Sequence, residues 1–513
     1  MHLFTTIAGI RCYLEKHRPG VQVVLVPTMG ALHAGHLSLV QQARRENKLV
    51  IVSIFVNPAQ FGPTEDFNQY PRHLEQDRQV CEQAGVDVIF APTAEEMNLA
   101  SGEEAKNFTQ VLPPAAMTSV LCGRYRPGHF TGVATVVTKL FNLIQPDRAY
   151  FGQKDAQQLA IIRRLVADLN FSVEVVACPT IRESSGLAMS SRNQYLTDAE
   201  KQEAAVLYRG LEQAQKVLKA GKTNKTALIE VVKQELATVP SLQVEYINLV
   251  DPASLTPLET IEQKGLLAIA ARLGKTRLID NILLRNRQPI IAIDGPAGAG
   301  KSTVTRRVAQ ALGLLYLDTG AMYRAVTWLV LNAGISLKDE PAIAELVSQS
   351  QIKLDASDEK QTQVRVWIND REVSQVIRGH QVTDNVSAIA ALPFVRRQLV
   401  KQQQQIGKQG AVVAEGRDIG THVFPDAELK IFLTASVQER ANRRQQDLKK
   451  QGQPEISLEE LQQKIQERDT KDSTRAVAPL RQAADAIRLD TDGLSIEDVT
   501  HQIISLYNQT LSG

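Results

Sequence analysis

His33 and His36 stand three residues apart in PTMGALHAGH (27–36), after an apolar run and before a stretch of helical periodicity. At a helix N-terminus such a pair offers ring N–H donors to phosphate oxygens. The helix dipole favours the anion, and glycines let the backbone come close to it. Met29, Gly30, Ala31, Leu32, Ala34 and Gly35 complete a loop of the kind that holds a nucleoside triphosphate while AMP is transferred and pyrophosphate leaves. The spacing also suits two exposed loop histidines, or a metal pair lacking a third ligand. Further on, Lys154 in FGQKDAQQ is placed to neutralise charge on an α-phosphate. Ser190, Ser191 and Arg192 read as a phosphate-gripping loop, or else as a polar connection.

A second phosphate site is written at Gly295, Pro296, Ala297, Gly298, Ala299, Gly300, Lys301, Ser302 and Thr303, which fits G-x-x-x-x-G-K-[ST]. Its backbone N–H groups can curl round phosphate oxygens, Lys301 can bridge the β- and γ-phosphates, and Ser302 can ligate Mg²⁺. The motif implies a nucleoside triphosphate but not the acceptor of its phosphate. Arg324, Arg417, Arg468 and Arg475 are the cations expected where two polyphosphates meet, with Asp418 and Asp472 among them.

The elements around these residues have to place them. VQVVLVP, LVIVSIFVN, VDVIFAP and FSVEVVACP are continuous apolar strands that alternate with helical segments such as HLSLVQQARRE and TGVATVVTKLFNLIQP. That pattern predicts an α/β fold with a parallel sheet covered on both faces. Residues 1–190 form the nucleotide-binding part. Residues 191–284 change texture to two polar helical stretches followed by QVEYINLVD and LLAIAARLG, a smaller α+β part. NILLRNRQ (281–288) marks a boundary near 285, after which PIIAIDGPAGAGKST restarts the strand, loop and helix pattern through 285–513. KQQQQ (401–405) is expected on a solvated helix face.

The 513 residues are 43% hydrophobic and 22% charged, and the net charge of +2 argues against nucleic acid or a membrane surface as partner. Cys12, Cys81, Cys122 and Cys178 form no CxxC pair, so a zinc site or redox dithiol is not expected. With no signal-peptide core and no apolar run of about 18 residues, a reduced cytoplasmic setting is the expectation.

The motifs of the first half, with SIFVNPAQF, YPRHLEQD, RPGHFTGVATVV and LFNLIQPDRAYFGQKD, resemble pantothenate synthetase (pantoate–β-alanine ligase) over about residues 1–280. The resemblance implies a Rossmann-like nucleotidylyltransferase fold. Pantoate carboxylate attacks the α-phosphate of ATP, pyrophosphate leaves, and the β-alanine amine then displaces AMP from pantoyl adenylate. It also implies that Met29 to His36 hold ATP, with His33 and His36 on its phosphates and His36 as proton donor. Gln60 and Gln158 would bind pantoate or β-alanine, and Asn57 and Lys154 would reach phosphates. Gly152, Gln153, Lys154, Asp155, Ile181, Met189, Ser190, Ser191 and Arg192 would complete the ATP site. Gln153 stands where the family carries Glu. A carboxylate nucleophile is already ionised at neutral pH and needs no base, so electrostatic help from the histidines is expected to outweigh proton transfer.

IDGPAGAGKST, LDTGAMYR, AEGRDIGT, VFPDAELKIFL and RDTKDSTRAVAPL resemble bacterial cytidylate kinase, a P-loop nucleoside monophosphate kinase, over nearly all of 289–513. By that resemblance Thr319, Arg324, Arg378, Ser387, Arg396, Arg417, Asp418 and Asp472 surround CMP or dCMP. Arg468 and Arg475 are lid or phosphate arginines, and residues about 320–400 include the monophosphate-binding insert. Thr319 replaces a common serine and keeps the hydroxyl. Both halves imply ATP with Mg²⁺, Ser302 being the one protein ligand named, and relatives of the first half imply a homodimer. Another nucleotidylyltransferase for the first half, and a nucleotide-sensing switch for the second, are the competing readings.

Overall fold

Strands β2 (Val23–Thr28) and β3 (Leu49–Ile54) carry no polar alternation because both of their faces are covered. Val23 and Leu25 pack into one apolar cluster, while Val24 and Val26 pack into another on the opposite face. In this computed structural model the described residues are 1–62, 65, 67–99, 108–355, 365–450, 456–475 and 478–512. The chain divides into two compact units, Met1–Asn286 and Arg287–Gly513.

In the first unit β1 (His2–Phe4) and α1 (Ile7–His17) precede β2. They are followed by α2 (Ala34–Glu46), β3, α3 (Leu74–Gln83) and β4 (Val88–Phe90). Two short helices, α4 (Ala115–Thr118) and α5 (Leu121–Tyr125), lead to α6 (His129–Ile144), β5 (Arg148–Gly152), α7 (Ala156–Asp168) and β6 (Glu174–Cys178). The six strands are parallel in the order β1-β4-β3-β2-β5-β6. The chain reverses direction across the sheet between β2 and β5, and ligands of open α/β sheets bind at the carboxyl ends of strands at such a switch.

A second core in the same unit is built by α8 (Asp198–Ala204), α9 (Val206–Lys219), α10 (Lys225–Leu236) and an antiparallel sheet. Its strands are β7 (Leu242–Val250), β8 (Lys264–Leu273) and β9 (Thr276–Arg285). The sequence pattern showed two strands here and put a boundary segment at 281–288. Most of that segment is instead the end of β9, which pairs with β8 along its whole length. The buried Asp280 interrupts the apolar alternation of β9 and hides the strand.

In the second unit β10 (Ile290–Asp294), α11 (Lys301–Leu312), β11 (Leu315–Asp318) and α12 (Thr319–Asn332) form the P-loop core. The expected insert follows as α13 (Glu340–Ser348), a small antiparallel sheet of β12 (Ile352–Asp355), β13 (Arg365–Ile368) and β14 (Arg371–Glu372), then α14 (His380–Ala391) and α15 (Pro393–Ile406). Its residues 356–364 lie outside the described residues, as do Ala476 and Val477 of the RDTKDSTRAVAPL segment. Then come β15 (Val412–Gly416), one turn of π-helix at Ile419–Val423, β16 (Leu429–Thr434), α16 (Val437–Lys450), α17 (Leu458–Thr474), β17 (Ile487–Asp490) and α18 (Ile496–Ser512). The parallel sheet runs β11-β15-β10-β16-β17, with β10 central. The glutamine run sits on a helix with Lys401, Gln404 and Gln405 exposed, but Gln403 is fully buried, and Gln402 and Gln404 donate to the carbonyls of Ser350 and Val423.

Gly132 lets α6 touch the turn at Pro58–Gln60. A Cβ there would lie 2.2 Å from the Ala59 carbonyl oxygen and 2.7 Å from the Gln60 nitrogen. Overpacking of this kind costs about 1–3 kcal/mol. Gly132→Ala is therefore expected to lower the Tm of the first unit by several degrees, at roughly 2–4 °C per kcal/mol, and to weaken substrate binding through Gln60. Calorimetry and a substrate titration check both.

Two candidate active sites

The loop after β2 turns on Gly30 (φ +82°) and Ala31 (φ +51°), both left-handed. Asp77 on α3 holds this turn from behind. Its carboxylate accepts the N–H of Ala31 at 2.9 Å and that of Leu32 at 2.8 Å, and its residue is 3% exposed. A side chain at Gly30 would meet that carboxylate, since an added Cβ lies 2.9 Å from Asp77 Oδ2. The two histidines then cap α2 together. His33 Nδ1 accepts the Gly35 N–H at 3.1 Å, and His36 Nδ1 accepts the His33 N–H at 3.4 Å. Their rings lie 4.1 Å apart between centroids. With both Nδ1 atoms accepting, each neutral ring carries its proton on Nε2. Burial, with Lys154 nearby, lowers His33 to about 4. Burial, with His33 and Lys154 nearby, lowers His36 to about 3. At neutral pH the pair is two neutral N–H donors.

Lys154 follows β5, on the other side of the switch from the histidine loop. Burial lowers its ammonium pKa, while Asp155 and Asp280 oppose the shift. The loop carrying it is held by the second core: Asn281 Nδ2 on β9 donates to the carbonyls of Gln153 at 3.1 Å and Lys154 at 2.8 Å. Asp280 takes the Arg182 fork at 2.6 and 3.0 Å. The third segment is tied in at Met189, whose N–H donates to the Ile181 carbonyl at 2.9 Å. A Cβ on Gly35 would lie 3.4 Å from Met189 Cβ. Ser190 caps the turn by accepting the Arg192 N–H at 3.3 Å, and Ser191 Oγ lies 3.3 Å from Tyr70 Oη. Gln60 Nε2 contacts Met29 Sδ, so the expected pantoate-binding amide borders the ATP loop.

In the second unit Gly295 (φ +149°), Gly298 (φ +81°) and Gly300 (φ +83°) shape the P-loop, and a Cβ on Gly295 would lie 2.1 Å from the Leu433 carbonyl oxygen. Lys301 is 6% exposed and donates to the Pro296 carbonyl at 2.7 Å. Burial and Arg417 lower its pKa, against Glu415 and Asp294. Ser302 Oγ donates to Glu415 at 2.9 Å, and Tyr316 also donates to that carboxylate. Thr319 Oγ1 donates to the Glu415 carbonyl at 2.6 Å. Beyond β15, the buried Asp418 pairs with the buried Arg396 and lies 3.7 Å from Arg475, while Arg417 donates to Asp472 at 2.9 Å. Arg440 on α16 donates to the Ala297 carbonyl of the P-loop at 3.1 Å and to Asp469 at 3.0 and 2.6 Å.

One unit thus pairs a histidine-capped helix with a buried lysine across a switch point, and the other pairs a P-loop with an arginine–aspartate cluster. The family model described as pantoate–β-alanine ligase matches residues 2–283, and that of cytidylate kinase matches 291–509. A bifunctional pantoate ligase/cytidylate kinase of Trichormus variabilis is 64% identical, with all of both chains covered. One from Nostoc sp. is also 64% identical over the whole of both chains. The chain belongs to this bifunctional family. The solved pantothenate synthetase of Thermus thermophilus matches with a TM-score of 0.52 and 46% identity, covering 55% of this chain and 99% of that one.

In the ligase unit, then, the structure gathers Met29–His36, Gly152–Asp155, Ile181, Met189–Arg192 and Gln60. Gln158 is half-buried on the first turn of α7, and Gln153 faces solvent, contributing its carbonyl alone to the loop contact. Three of these residues carry contacts that bear on their implied roles. Asn57, 1% exposed, gives its amide hydrogens to the Gly132 carbonyl and the Gln60 side chain, contacts that position Gln60. The Ala31 and Leu32 N–H groups are taken by Asp77. His36 is a neutral donor and a very weak acid, in keeping with the expectation that charge stabilisation outweighs proton transfer.

In the kinase unit Thr319, Arg396, Arg417, Asp418, Asp472 and Arg475 share one cluster, and Arg468 lies close enough for Arg417 to lower its pKa, after burial. Arg324 donates to Thr383 on α14 at 2.9 Å, and Arg378 lies near enough to depress it further. Ser387 is exposed one turn beyond Thr383 on α14. Asp77, Asp280, Asn281, Asp294, Glu415 and Arg440 were not singled out from sequence. Asp77 had a signal: it shares the buried face of α3 with Cys81, four residues on.

Asp77→Ala is expected to lower pantoyl adenylate formation at least tenfold while CMP phosphorylation is unchanged, read by pyrophosphate release in the full chain. The histidines also set a pH window. Each is neutral in the folded chain well below its ordinary value of 6.5, so the stability they contribute is present above that value and is lost as pH falls toward about 4. The ligase pH profile is expected to show no histidine limb between pH 6 and 7, whereas a limb there that His33→Gln and His36→Gln remove means the rings titrate normally.

Proposed function

We propose that the first unit makes pantothenate from pantoate and β-alanine through pantoyl adenylate, and that the second phosphorylates CMP and dCMP. The carrying observation is the pairing within each unit of a phosphate loop with a distinct acceptor region. Gln60 borders the Met29–His36 loop in one, and the Arg396–Asp418 and Arg417–Asp472 pairs border the P-loop in the other.

In the ligase, the ionised pantoate carboxylate attacks the α-phosphorus and the bond to pyrophosphate breaks. Lys154 and the Nε2–H groups of His33 and His36 stabilise the charge on the transferring phosphate. The β-alanine amine then attacks the acyl carbon, AMP leaves with the bonding electrons, and the amine proton passes to solvent. In the kinase, a phosphate oxygen of CMP attacks the γ-phosphorus of ATP. Lys301 and the surrounding arginines offset the charge shared between the two nucleotides.

ATP is the co-substrate of both units. Mg²⁺ fits the kinase donor set: Ser302 Oγ lies beside the Glu415 carboxylate, a hard oxygen pair of the type this ion takes while keeping several waters. Among the described residues no three His, Cys, Asp or Glu side chains cluster as a metal site, so the ion is read as arriving with the nucleotide. When bound it neutralises phosphate charge. The same reading takes the protein as cytoplasmic and as a homodimer through the first unit, both resting on the family resemblance.

Lys301→Ala is expected to abolish most CMP phosphorylation and leave pantothenate formation intact. Lys154→Ala and His36→Ala should do the reverse, each slowing adenylate formation about 10²–10³-fold, as loss of one such donor does elsewhere. Pantoate-dependent ATP–pyrophosphate exchange and a coupled assay with CMP, dCMP, UMP and AMP read the two activities. Equal loss of both in a folded variant refutes the assignment. The units should also work apart: fragments 1–286 and 287–513 are expected to keep one activity each, and a folded but inactive fragment restored by adding the other would show a shared site.

A further inference from the structure

Asp294 ends β10, one residue before the P-loop glycine Gly295. Its side chain crosses to the neighbouring segment, where Oδ1 accepts the N–H of Ile419 at 2.8 Å and Oδ2 accepts the N–H of Gly420 at 2.7 Å. These are the first two residues of the π-helical turn that follows Arg417 and Asp418. Asp294 is 4% exposed. Sheet pairing alone fixes β10 against β15 only as far as Asp294↔Gly416. Past Gly416 the chain leaves the ladder, and the carboxylate takes over the register for the next four residues. π-turns of this kind are rare and cluster at functional sites.

We propose that Asp294 is a positioning residue of the kinase, locking the acceptor-binding Arg417–Asp418 segment in register with the phosphate-donating P-loop. The inference rests on the CMP-kinase reading of this unit. It assigns Asp294 no contact with either nucleotide. Its carboxylate fixes the direction in which Asp418 meets Arg396 and Arg475, and in which Arg417 meets Asp472. Loss of the contact should therefore penalise the acceptor more than ATP, whose loop is shaped by its own glycines and by Arg440 on Ala297.

Of the charged and titratable groups around Asp294, Asp418 is paired with Arg396, Lys301 leans on the Pro296 carbonyl, and Glu415 on the adjacent strand is bonded to Ser302 and Tyr316. Lys430, beside Gly420, is paired with Asp485. His422, on the same turn, lies near Asp418 and helps to keep that carboxyl ionised. Burial raises the Asp294 carboxyl to about 6, with Asp418 adding to the rise, while the two N–H groups and Lys301 pull it down. A proton taken up as pH falls through that value removes one acceptor from the turn.

Full-length wild-type protein and Asp294→Asn are compared by CMP and ATP titrations of kinase rate, by ATP binding, and by kcat/KM for CMP from pH 5 to 8. The expected result for Asp294→Asn is a rise of about tenfold or more in KM for CMP, with ATP binding changed less than threefold. An acid limb near pH 6 is expected in wild type and should be missing from the variant. Gly420→Ala crowds the same turn without altering charge, since its Cβ would lie 3.2 Å from Lys430 Cδ and touch Asp294 Oδ2 at 3.4 Å. It should raise KM for CMP in the same selective way, and it stands in if Asp294→Asn does not fold. Equal losses for CMP and ATP, or no change in either with both variants folded, overturn the positioning role. Absence of CMP turnover by wild type instead overturns the kinase reading on which it rests.

Discussion

A loop that binds phosphate through its backbone has to keep its shape when the phosphate is absent, and its own N–H groups repel one another when they point the same way. The ligase unit meets this constraint with one buried carboxylate that takes two successive N–H groups from another segment, and the kinase unit uses the same device on the turn beside its acceptor cluster. Asp77 holds Ala31 and Leu32 beneath the histidine loop, and Asp294 holds Ile419 and Gly420 behind the arginine–aspartate cluster. A buried carboxylate is costly to desolvate unless such donors satisfy it. The loop and its anchor therefore stabilise each other, and the remaining polar groups of each loop stay free for ligand.

Burial then sets the charge state of what the loops present. The ligase site keeps its imidazoles neutral by desolvation and by the nearby Lys154, so its positive charge comes from Lys154 and from Arg192 beside it. The kinase site takes the other course. It accumulates arginines, whose charge survives burial, and matches the most enclosed of them with aspartates: Arg396 with Asp418, Arg417 with Asp472, Arg440 with Asp469. Guanidinium groups suit a site where two polyphosphates are gripped at once. A lysine with neutral donors suits one where a single phosphorus changes partners.

What the sequence makes legible is the local chemistry. Strand, glycine loop and helix form one short stretch of chain, so 27–36 and 295–303 can be recognised without knowing the fold. Continuous apolar strands likewise announce the parallel sheets. What stays hidden is long-range pairing of polar groups. Asp77 reaches a loop 46 residues away and Asp294 a turn 125 residues away, and an acid within an apolar element reads as an irregularity until its partners are known. The same reason conceals β9, broken in pattern by Asp280, and misplaces Gln403, which is buried within a run that looks solvated. The resemblance implies that Asn57 reaches phosphate, and only the fold shows that its amide donates to the Gly132 carbonyl.

The ligase lysine loop hangs between two cores, since Lys154 follows a strand of the parallel sheet while Asn281, from the antiparallel sheet, grips its carbonyl. That amide adds to the apolar cluster shared by α5–α7 with β7 and β8 in aligning the two bodies of that unit. Modularity is given up at this seam. A lineage could exchange the surface helices of either body freely, but it could not replace the smaller one by an unrelated cap without first finding another way to aim the lysine.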